Sequence, residues 1–232
     1  MTEGHIREGF YHFEWARNWL GPRAHEHGSA GSFSLEARPE GDSIIAGKGW
    51  NPGLYDRNIT YSGFYEVITS PDSGNSSASA ISVYGWTRDL PVEYQIVESY
   101  SGGYSPGGDK KGTVTCNGAS YDVFQFYSIQ NPPRMSHNGT IGSDELSDSF
   151  PTTVQVACHF NAWRDDFDMH LGASHHIQLV AAEVEGYGTT IRAAINVVDP
   201  EFTPIEVDML VVLISEGPRA QAMQERVERK AR

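Results

Sequence analysis

The chain has 232 residues, a formal net charge of −13, 24 Gly, 12 Pro and 11% aromatic residues. Because so acidic a chain repels phosphate backbones and anionic lipid, we expect neither nucleic acid nor a membrane as a partner, whereas a neutral polysaccharide would be unaffected. The first ten residues lack the apolar core of a secretion signal and no apolar run approaches the roughly 20 residues of a membrane span, so a secreted form would have lost its signal.

Short runs rich in aromatic and β-branched residues lie between turn-forming residues along most of the chain. They include ISVYGW (81–86), EYQIVESY (93–100), GTVTC (112–116) and YDVFQFY (121–127). This pattern is typical of an all-β sandwich, and 232 residues suit a single such domain. We predict a flexible arm over 1–8, the β domain over 9–198, and a C-terminal extension over 199–232 with one more strand and a helix-prone tail.

The segment from Arg17 to Ala30 is rich in His, Arg and Gly and is predicted to be a loop. His25 and His27 lie within it, but two histidines without a third ligand nearby do not make a metal site. We therefore predict that both are solvated and assign no metal, and the same reasoning applies to His175 and His176. Further along, the spacing of residues 160–171 predicts a short helix.

The predicted strand around Glu93 has a carboxylate in its middle, on a face that is neither cleanly apolar nor cleanly polar. A period of two puts Pro91, Glu93, Gln95 and Val97 on one face. An inward-facing carboxylate and amide beside aromatic-rich strands suit a groove that binds a polar ligand better than a closed core. The alternative is an edge strand with a solvated Glu93.

Several segments resemble the family 11 glycoside hydrolases and follow one another in that family's order. They are GFYHFEW (9–15), GKGWNPG (47–53), ITYSG (59–63), VYGWTR (83–88) before VEY (92–94), and HFNAW (159–163). The resemblance covers about residues 9–198. It implies a jelly roll of two curved antiparallel sheets that form a cleft, with one short helix packed on the back. It also implies a secreted endo-β-1,4-xylanase that hydrolyses a polysaccharide with retention of the anomeric configuration and needs no cofactor.

A retaining glycosidase needs two carboxyl groups about 5–5.5 Å apart, one as nucleophile and one as acid and then base. The resemblance assigns the nucleophile to Glu93. The second carboxylate lies in HIQLVAAEVEGYG (176–188), which has two extra residues within the family's motif. Alignment of the family motif forward from Gln178 places the acid/base at Glu183, whereas alignment backward from Gly186 places it at Glu185. Both would project from the same face of a strand, and the Glu-Gly-Tyr context favours Glu185 slightly.

Substrate-binding residues follow from the same resemblance, because aromatic faces stack on the C–H faces of pyranose rings. Trp15 matches the tryptophan on which family members stack a xylose, and Tyr84 matches the tyrosine that touches the reacting sugar. Further candidates are Tyr61, Tyr94, Gln95, Trp86 and, in the thumb loop, Pro132. The contexts of Cys116 and Cys158 also resemble those of a disulfide in some fungal members, so we predict that these two cysteines are bonded.

The chain departs from the family at several positions near the expected cleft. Gln95 replaces a tyrosine, Ser128 replaces an arginine that favours the ionised nucleophile, and Ser43 replaces the Asn or Asp that contacts the acid/base. The strand that follows the thumb has no counterpart between Ser143 and Val156, which reads as a loop. Two alternatives therefore stay open: a hydrolase of another β-1,4-glycan, and a non-catalytic carbohydrate-binding or recognition protein.

Overall fold

The computed structural model describes residues 3–7, 9–17, 21–69, 77–126, 134–139 and 152–199. These residues form fourteen strands and one helix. In chain order they are β1 (Glu3–Arg7), β2 (Phe10–Arg17), β3 (Arg23–His27), β4 (Ser32–Ala37), β5 (Glu40–Trp50), β6 (Asn58–Thr69), β7 (Ala78–Thr87), β8 (Glu93–Gly102), β9 (Asp109–Cys116), β10 (Ala119–Phe126), β11 (Arg134–Gly139), β12 (Thr152–Gln155), α1 (Val156–Asp165), β13 (His175–Tyr187) and β14 (Thr189–Val198).

The strands make two sheets that pack as a jelly roll. The larger has nine strands in the order β1-β2-β5-β13-β7-β8-β11-β10-β9, and the smaller has five in the order β12-β6-β14-β4-β3. Neighbouring strands are antiparallel except for β8 and β11, which run parallel. The all-β sandwich predicted from the strand pattern is confirmed.

The main hydrophobic core lies between the sheets, and a second apolar cluster covers the other face of the larger sheet. Ile44, Val83 and Val180 belong to the main core, whereas their chain neighbours Ile45 and Tyr84 belong to the second cluster. Successive side chains of a strand point to opposite faces. The central strands of the nine-stranded sheet are therefore buried on both faces, which is why their sequences read as apolar runs rather than as clean alternation.

Tyr94 shows how one glycine allows this packing. It is the register partner of Gly85 on β7, and a Cβ on Gly85 would lie 2.3 Å from the Tyr94 hydroxyl oxygen. The absent side chain lets the tyrosine lie across β7 and reach Phe160 of α1, with ring centroids 4.9 Å apart. The helix is thereby joined to the centre of the larger sheet.

Helix α1 begins and ends earlier than the predicted range of 160–171. Val156, His159, Phe160 and Trp163 are buried at the spacing of one helical face, and this face determines where the helix starts. The chain leaves the helix after Asp165, and the backbone N–H of Met169 donates to the Trp163 carbonyl. The predicted disulfide is confirmed: Cys158 of α1 is bonded to Cys116 at the end of β9, with a sequence separation of 42.

Three regions predicted to be irregular are strands instead. Residues 3–7, predicted as a flexible arm, pair with β2 as β1. Residues 23–27, within the predicted loop of Arg17–Ala30, pair with β4 as β3. Residues 152–155, within the segment read as a loop, pair with β6 as β12. Each is a short strand at the edge of a sheet, where one neighbour suffices and apolar alternation is weak.

The nine-stranded sheet contains a strand from the segment that the resemblance predicts to be the thumb loop. Strand β11 lies between β8 and β10 and pairs with both. It begins at Arg134, well before the region in which the resemblance predicts this strand. The thumb candidates Ser128 and Pro132, and the C-terminal unit of residues Glu201–Arg232, lie outside the described residues. Among the helices described, none is long and apolar enough to cross a membrane.

Candidate active site

The candidate site lies on the face of the nine-stranded sheet that points away from the five-stranded sheet, which we call the open face. Register partners share a face, so the pairings define rows of side chains across the sheet. The rows are Trp15–Ile45–Glu183–Ala80, Phe13–Gly47–Ala181–Ser82–Val97, Tyr11–Gly49–Leu179–Tyr84–Gln95, and Ile177–Trp86–Glu93.

The floor of the open face is apolar and aromatic. Its buried cluster consists of Phe13, Ile45, Tyr84, Ile177, Leu179 and Ala181, with Tyr11 and Trp86 packed against it. The rings of Phe13 and Tyr84 have centroids 6.1 Å apart, although β5 and β13 separate their strands. Gly47 and Gly49 leave room for the two rings to meet above the sheet. Such a surface can cover the C–H faces of a sugar ring.

Glu93 and Gln95 lie at the start of β8 on the open face. The Glu93 residue is partly exposed, whereas Gln95 is only 2% exposed. Their neighbours on β7 are Trp86 and Tyr84, and the indole Nε1 of Trp86 donates to the Tyr84 hydroxyl at 2.7 Å. The predicted face of this strand therefore carries an accessible carboxylate beside an aromatic pair.

The second carboxylate that meets this site is Glu183. The Nε2 of Gln95 donates to Glu183 Oε2 at 2.7 Å, and the Oε1 of Gln95 accepts from the Tyr104 hydroxyl at 3.3 Å. In register, Gln95 is level with Leu179, four residues before Glu183 on β13. A twisted sheet brings residues together along one diagonal, and this diagonal crosses β7 to join the two strands.

Glu185 lies on the same face but further along β13. Its residue is exposed, and its register partners are Ser43 on β5 and Ala78 on β7. Ser43, at the position where the resemblance predicts a residue that contacts the acid/base, is thus level with Glu185 and not with Glu183. Of the two carboxylates left open by the sequence, Glu183 is the one in hydrogen-bond contact with the Glu93 segment.

Comparison with known proteins identifies the family. The model of Glycosyl hydrolases family 11 matches residues 7–196. The chain belongs to glycosyl hydrolase family 11. A curated relative, endo-1,4-beta-xylanase A of Schizophyllum commune, is 37% identical over 209 residues, which cover 82% of this chain and 95% of the relative. Endo-1,4-beta-xylanase 1 of Leucoagaricus gongylophorus is 34% identical over 206 residues, 81% of this chain and 79% of the relative.

A solved structure of a family relative has the same fold. It is one of two major endo-1,4-beta-xylanases of Trichoderma reesei, with a TM-score of 0.62 and 29% identity, and the match covers 80% of this chain and 98% of that one. The jelly roll that the sequence resemblance implied is therefore the fold of this family 11 chain.

Trp15 is the exposed aromatic of the open face. It is 37% exposed and lies in the same row as Glu183, two strands away. Tyr84 is 4% exposed, so its ring forms part of the floor while its hydroxyl accepts from Trp86. Among the aromatic candidates of this family 11 chain, Trp15 has the ring most available for stacking.

Two other candidates are located in the main core and do not line the open face. Tyr61 and Tyr94 are fully buried there, at 1% and 0% exposed. Burial raises the pKa of Tyr61 and that of Tyr94 above the ordinary value. Alternation explains both positions: Tyr94 lies between Glu93 and Gln95 on β8 and therefore points the opposite way. A polysaccharide on the open face would not reach either ring.

Of the two histidines of β3, His25 differs from the prediction that both are solvated, whereas His27 is exposed. His25 has a side chain that is 4% exposed, and its Nδ1 is 2.8 Å from Glu14 Oε2. The Nδ1 atoms of His27 and His12 are 2.8 Å apart. Burial lowers the pKa of His27 to about 4, with the neighbouring histidines adding to the effect. Within the described ranges, no three potential ligands meet in a metal-binding group.

Two polar residues on or beside β8 were not assigned a role from the sequence: Tyr104, which contacts a candidate side chain, and Glu98, which lies in the core. Tyr104 follows β8 and holds the Gln95 amide, but its segment, SGGYSPGG, carries only turn signals. Glu98 is a buried carboxyl on β8 that accepts from the Tyr121 hydroxyl at 3.0 Å. Burial raises the pKa of Glu98 to about 7. A carboxylate in an alternating strand gives no sign of which neighbour it will meet across the core.

Proposed function

We propose that this family 11 chain is an endo-1,4-β-xylanase that hydrolyses internal β-1,4 bonds of xylan with retention. Glu93 is the nucleophile and Glu183 is the acid/base. The observation that carries this proposal is the hydrogen bond from Gln95 to Glu183, because it connects the Glu93 segment with one of the two competing carboxylates. The preference for Glu185 in the sequence rested on its Glu-Gly-Tyr context and on its distance to the last strand, and we replace it on the basis of this hydrogen bond.

The reaction proceeds in two displacements. A Glu93 carboxylate oxygen attacks the anomeric carbon while the bond to the leaving sugar breaks, and Glu183 gives its proton to the leaving oxygen. The ionised Glu183 then takes a proton from water as the water oxygen attacks the anomeric carbon. The ester bond to Glu93 breaks and both carboxyl groups return to their starting states. Two inversions give net retention, and no cofactor enters either step.

The substrate would lie along the aromatic floor. Trp15 stacks on a sugar at one side of the scissile bond, since its ring is exposed and in the row of Glu183. Tyr84 and Trp86 support the reacting sugar beside Glu93. Gln95 is too deeply buried to be a substrate ligand, and Pro132 stays a thumb candidate on the resemblance alone.

We also propose that residues 9–198 form the catalytic domain, with residues 199–232 as an extension, and that the protein acts outside the cell. The disulfide between Cys116 and Cys158 supports the second point, because structural disulfides form and persist in oxidising compartments. Recovery of the protein only from the producing cells, with both thiols reacting with a maleimide without prior reduction, would argue against it.

The test measures reducing sugar released from β-1,4-xylan between pH 3 and 9 by the parent, Glu93→Gln, Glu183→Gln and Glu185→Gln. We expect the first two variants to lose about 10³-fold or more in kcat, and Glu185→Gln to stay within about threefold of the parent. Loss of activity in Glu185→Gln with activity kept in Glu183→Gln would reverse the assignment of the acid/base.

An activated substrate separates the roles of the two carboxylates. A dinitrophenyl xylobioside needs no proton on its leaving group, so Glu183→Gln should form the glycosyl-enzyme quickly and then stall, whereas Glu93→Gln should remain inactive. Mixed-linkage glucan and cellulose serve as matched substrates. Faster cleavage of either glucan than of xylan would assign the enzyme to another β-1,4-glycan. Binding of an oligosaccharide without turnover would favour a recognition protein.

A further inference from the structure

Gln95 has a position that substrate binding does not explain. It follows the proposed nucleophile by two residues on the same face, yet it is 2% exposed. Both ends of its amide are engaged, with Nε2 donating to Glu183 and Oε1 accepting from Tyr104. A side chain in this position acts on the carboxylate and not on the sugar.

The chemistry of the amide limits what it can do to Glu183. An amide nitrogen only donates and an amide oxygen only accepts, so the orientation of Gln95 decides which hydrogen bond Glu183 makes. With Nε2 toward Glu183, the contacted oxygen Oε2 must be an acceptor, and an acid proton is carried on Oε1. With the amide reversed, Gln95 Oε1 would accept the acid proton from Oε2 and hold it away from the substrate.

We propose that Gln95, oriented by the Tyr104 hydroxyl, is a positioning residue that keeps the catalytic proton of Glu183 on Oε1. The inference rests on the proposed function, which makes Glu183 the acid/base. In the orientation in which Nε2 meets Glu183, Tyr104 donates to Gln95 Oε1, so that both ends of the amide are hydrogen-bonded. A tyrosine at position 95 could both donate and accept through one oxygen, so Gln95 is not an equivalent replacement for the family's residue.

The same hydrogen bond favours the ionised over the protonated form of Glu183, because a donor stabilises the charged acceptor. The acid function therefore ends at a lower pH than it would without the donor. Tyr65 on β6 interacts electrostatically with this carboxylate. The other titratable side chains on the open face of β8 and β13 or beside it are Glu93 and Tyr100 on β8, Tyr104 after β8, and Glu185 on β13.

The first experiment compares the pH dependence of kcat/KM on xylan for the parent, Gln95→Met and Tyr104→Phe. Methionine keeps the length of the side chain and removes both hydrogen bonds. We expect the alkaline limb of the Gln95→Met profile to lie about one pH unit higher than that of the parent, because a charge-assisted hydrogen bond is lost. We expect kcat to fall about tenfold while KM stays within about twofold, since the residue does not touch the sugar.

Tyr104→Phe tests the orientation separately and guards against a variant of Gln95 that fails to fold. It leaves Gln95 in place and removes only the hydroxyl that holds Oε1. The amide is then able to reverse, so we expect a smaller shift of the alkaline limb in the same direction and a fall in kcat of a few fold. A folded Tyr104→Phe variant with an unchanged pH profile would contradict the role assigned to Tyr104.

A second measurement does not depend on activity. Carbon-13 NMR of chains labelled at the glutamate carboxyl carbons follows each titration directly, and the signal of Glu183 is assigned by its loss in Glu183→Gln. The midpoint of that signal should rise by about one pH unit in Gln95→Met. If the parent never cleaves xylan but this shift is seen, the proposed function fails, whereas the effect of Gln95 on the protonation of Glu183 is upheld. If the midpoint does not move, the inference fails whether or not the parent is active.

Discussion

The two faces of the nine-stranded sheet are both largely buried, yet they place carboxylates in opposite circumstances. On the face toward the five-stranded sheet, Glu98 is 5% exposed and hydrogen-bonded to Tyr121. On the open face, Glu93 and Glu183 are partly exposed beside an aromatic floor. Glu98 has the strongly raised pKa, although nothing in its surroundings allows a substrate to reach it.

A perturbed pKa alone therefore does not identify a catalytic carboxylate. Such perturbation is frequent in active sites, but burial in a core produces it as well. Partial exposure beside an aromatic floor and, for Glu183, the hydrogen bond from Gln95 in the Glu93 segment distinguish Glu93 and Glu183 from Glu98. Stability should therefore respond to changes on the core face, and turnover to changes on the open face.

Removal of the disulfide should give the largest effect on stability in this comparison. Cys116 and Cys158 join β9 to α1 and close a long loop, with a separation of 42 residues. In the chain-entropy model such a link contributes about 4 kcal/mol to the free energy of unfolding. We expect the double variant Cys116→Ala/Cys158→Ala to lose most of this in urea unfolding while kcat/KM at 25 °C stays within twofold. A comparable loss of activity in folded protein would contradict the assignment of stability to the core face and of turnover to the open face.

Glu98→Gln should give the next largest effect, and only at higher pH. The glutamine keeps a carbonyl to accept from Tyr121. In the folded protein the pKa of Glu98 is about 7, above its ordinary value of 4.5, so the neutral form is favoured and stability is lost as pH rises through this range. The full cost, reached above about pH 7, is roughly 3 kcal/mol. We expect the variant to gain up to that amount at pH 8 and nothing at pH 4.

His159 should oppose Glu98 in the parent. Burial lowers the pKa of His159 from 6.5 to about 3, and its ring meets that of Tyr121 edge-on, with centroids 4.6 Å apart. Because the folded form resists protonation, the stability contributed by the neutral ring is lost as pH falls below 6.5. Between about pH 4.5 and 6.5 the two slopes cancel. In Glu98→Gln only the histidine slope remains of this pair, so the variant's own free energy of unfolding should rise with pH through that window. A variant whose free energy of unfolding stays flat from about pH 4.5 to 6.5 would contradict the assignment.

The sequence predicted the parts of this molecule that depend on local pattern. Alternation and turn residues predicted the sandwich, and motif contexts predicted the disulfide. The same contexts assign the nucleophile to Glu93, which stays a prediction. The sequence did not choose between Glu183 and Glu185, because both project from one face of β13. The choice depends on the diagonal contact with Gln95 across β7, which is a property of sheet twist and carries no signature along either strand.

Misplaced aromatic residues have an equally physical cause. Tyr94 follows Glu93 directly, so motif proximity favoured it as a sugar ligand, but one step along a strand reverses the face. Its true place in the core also depends on the missing side chain of Gly85 on the neighbouring strand. The edge strands β1, β3 and β12 were missed because a strand with one neighbour needs little apolar alternation.

Trp15→Ala should have the smallest of these effects and should affect the open face alone. The ring is 37% exposed in the row of Glu183, and an aromatic–sugar contact of this kind contributes about 1–1.5 kcal/mol. We expect KM for xylan to rise about tenfold with kcat within about twofold, measured by initial rates, and Trp15→Phe to recover part of the loss.

Phe64→Ala is the matched control for that change, since Phe64 is a 48% exposed aromatic on β6 of the other sheet. It should leave KM unchanged, so that loss of an exposed ring as such is separated from loss of a ring at the site. The effects of Trp15→Ala on KM and on kcat distinguish two roles of the ring. A rise in KM alone means that the ring binds the sugar equally in the ground and transition states. An equal fall in kcat and kcat/KM would instead show that Trp15 contacts the sugar only as it distorts, and the stacking position would then adjoin the bond that Glu183 protonates.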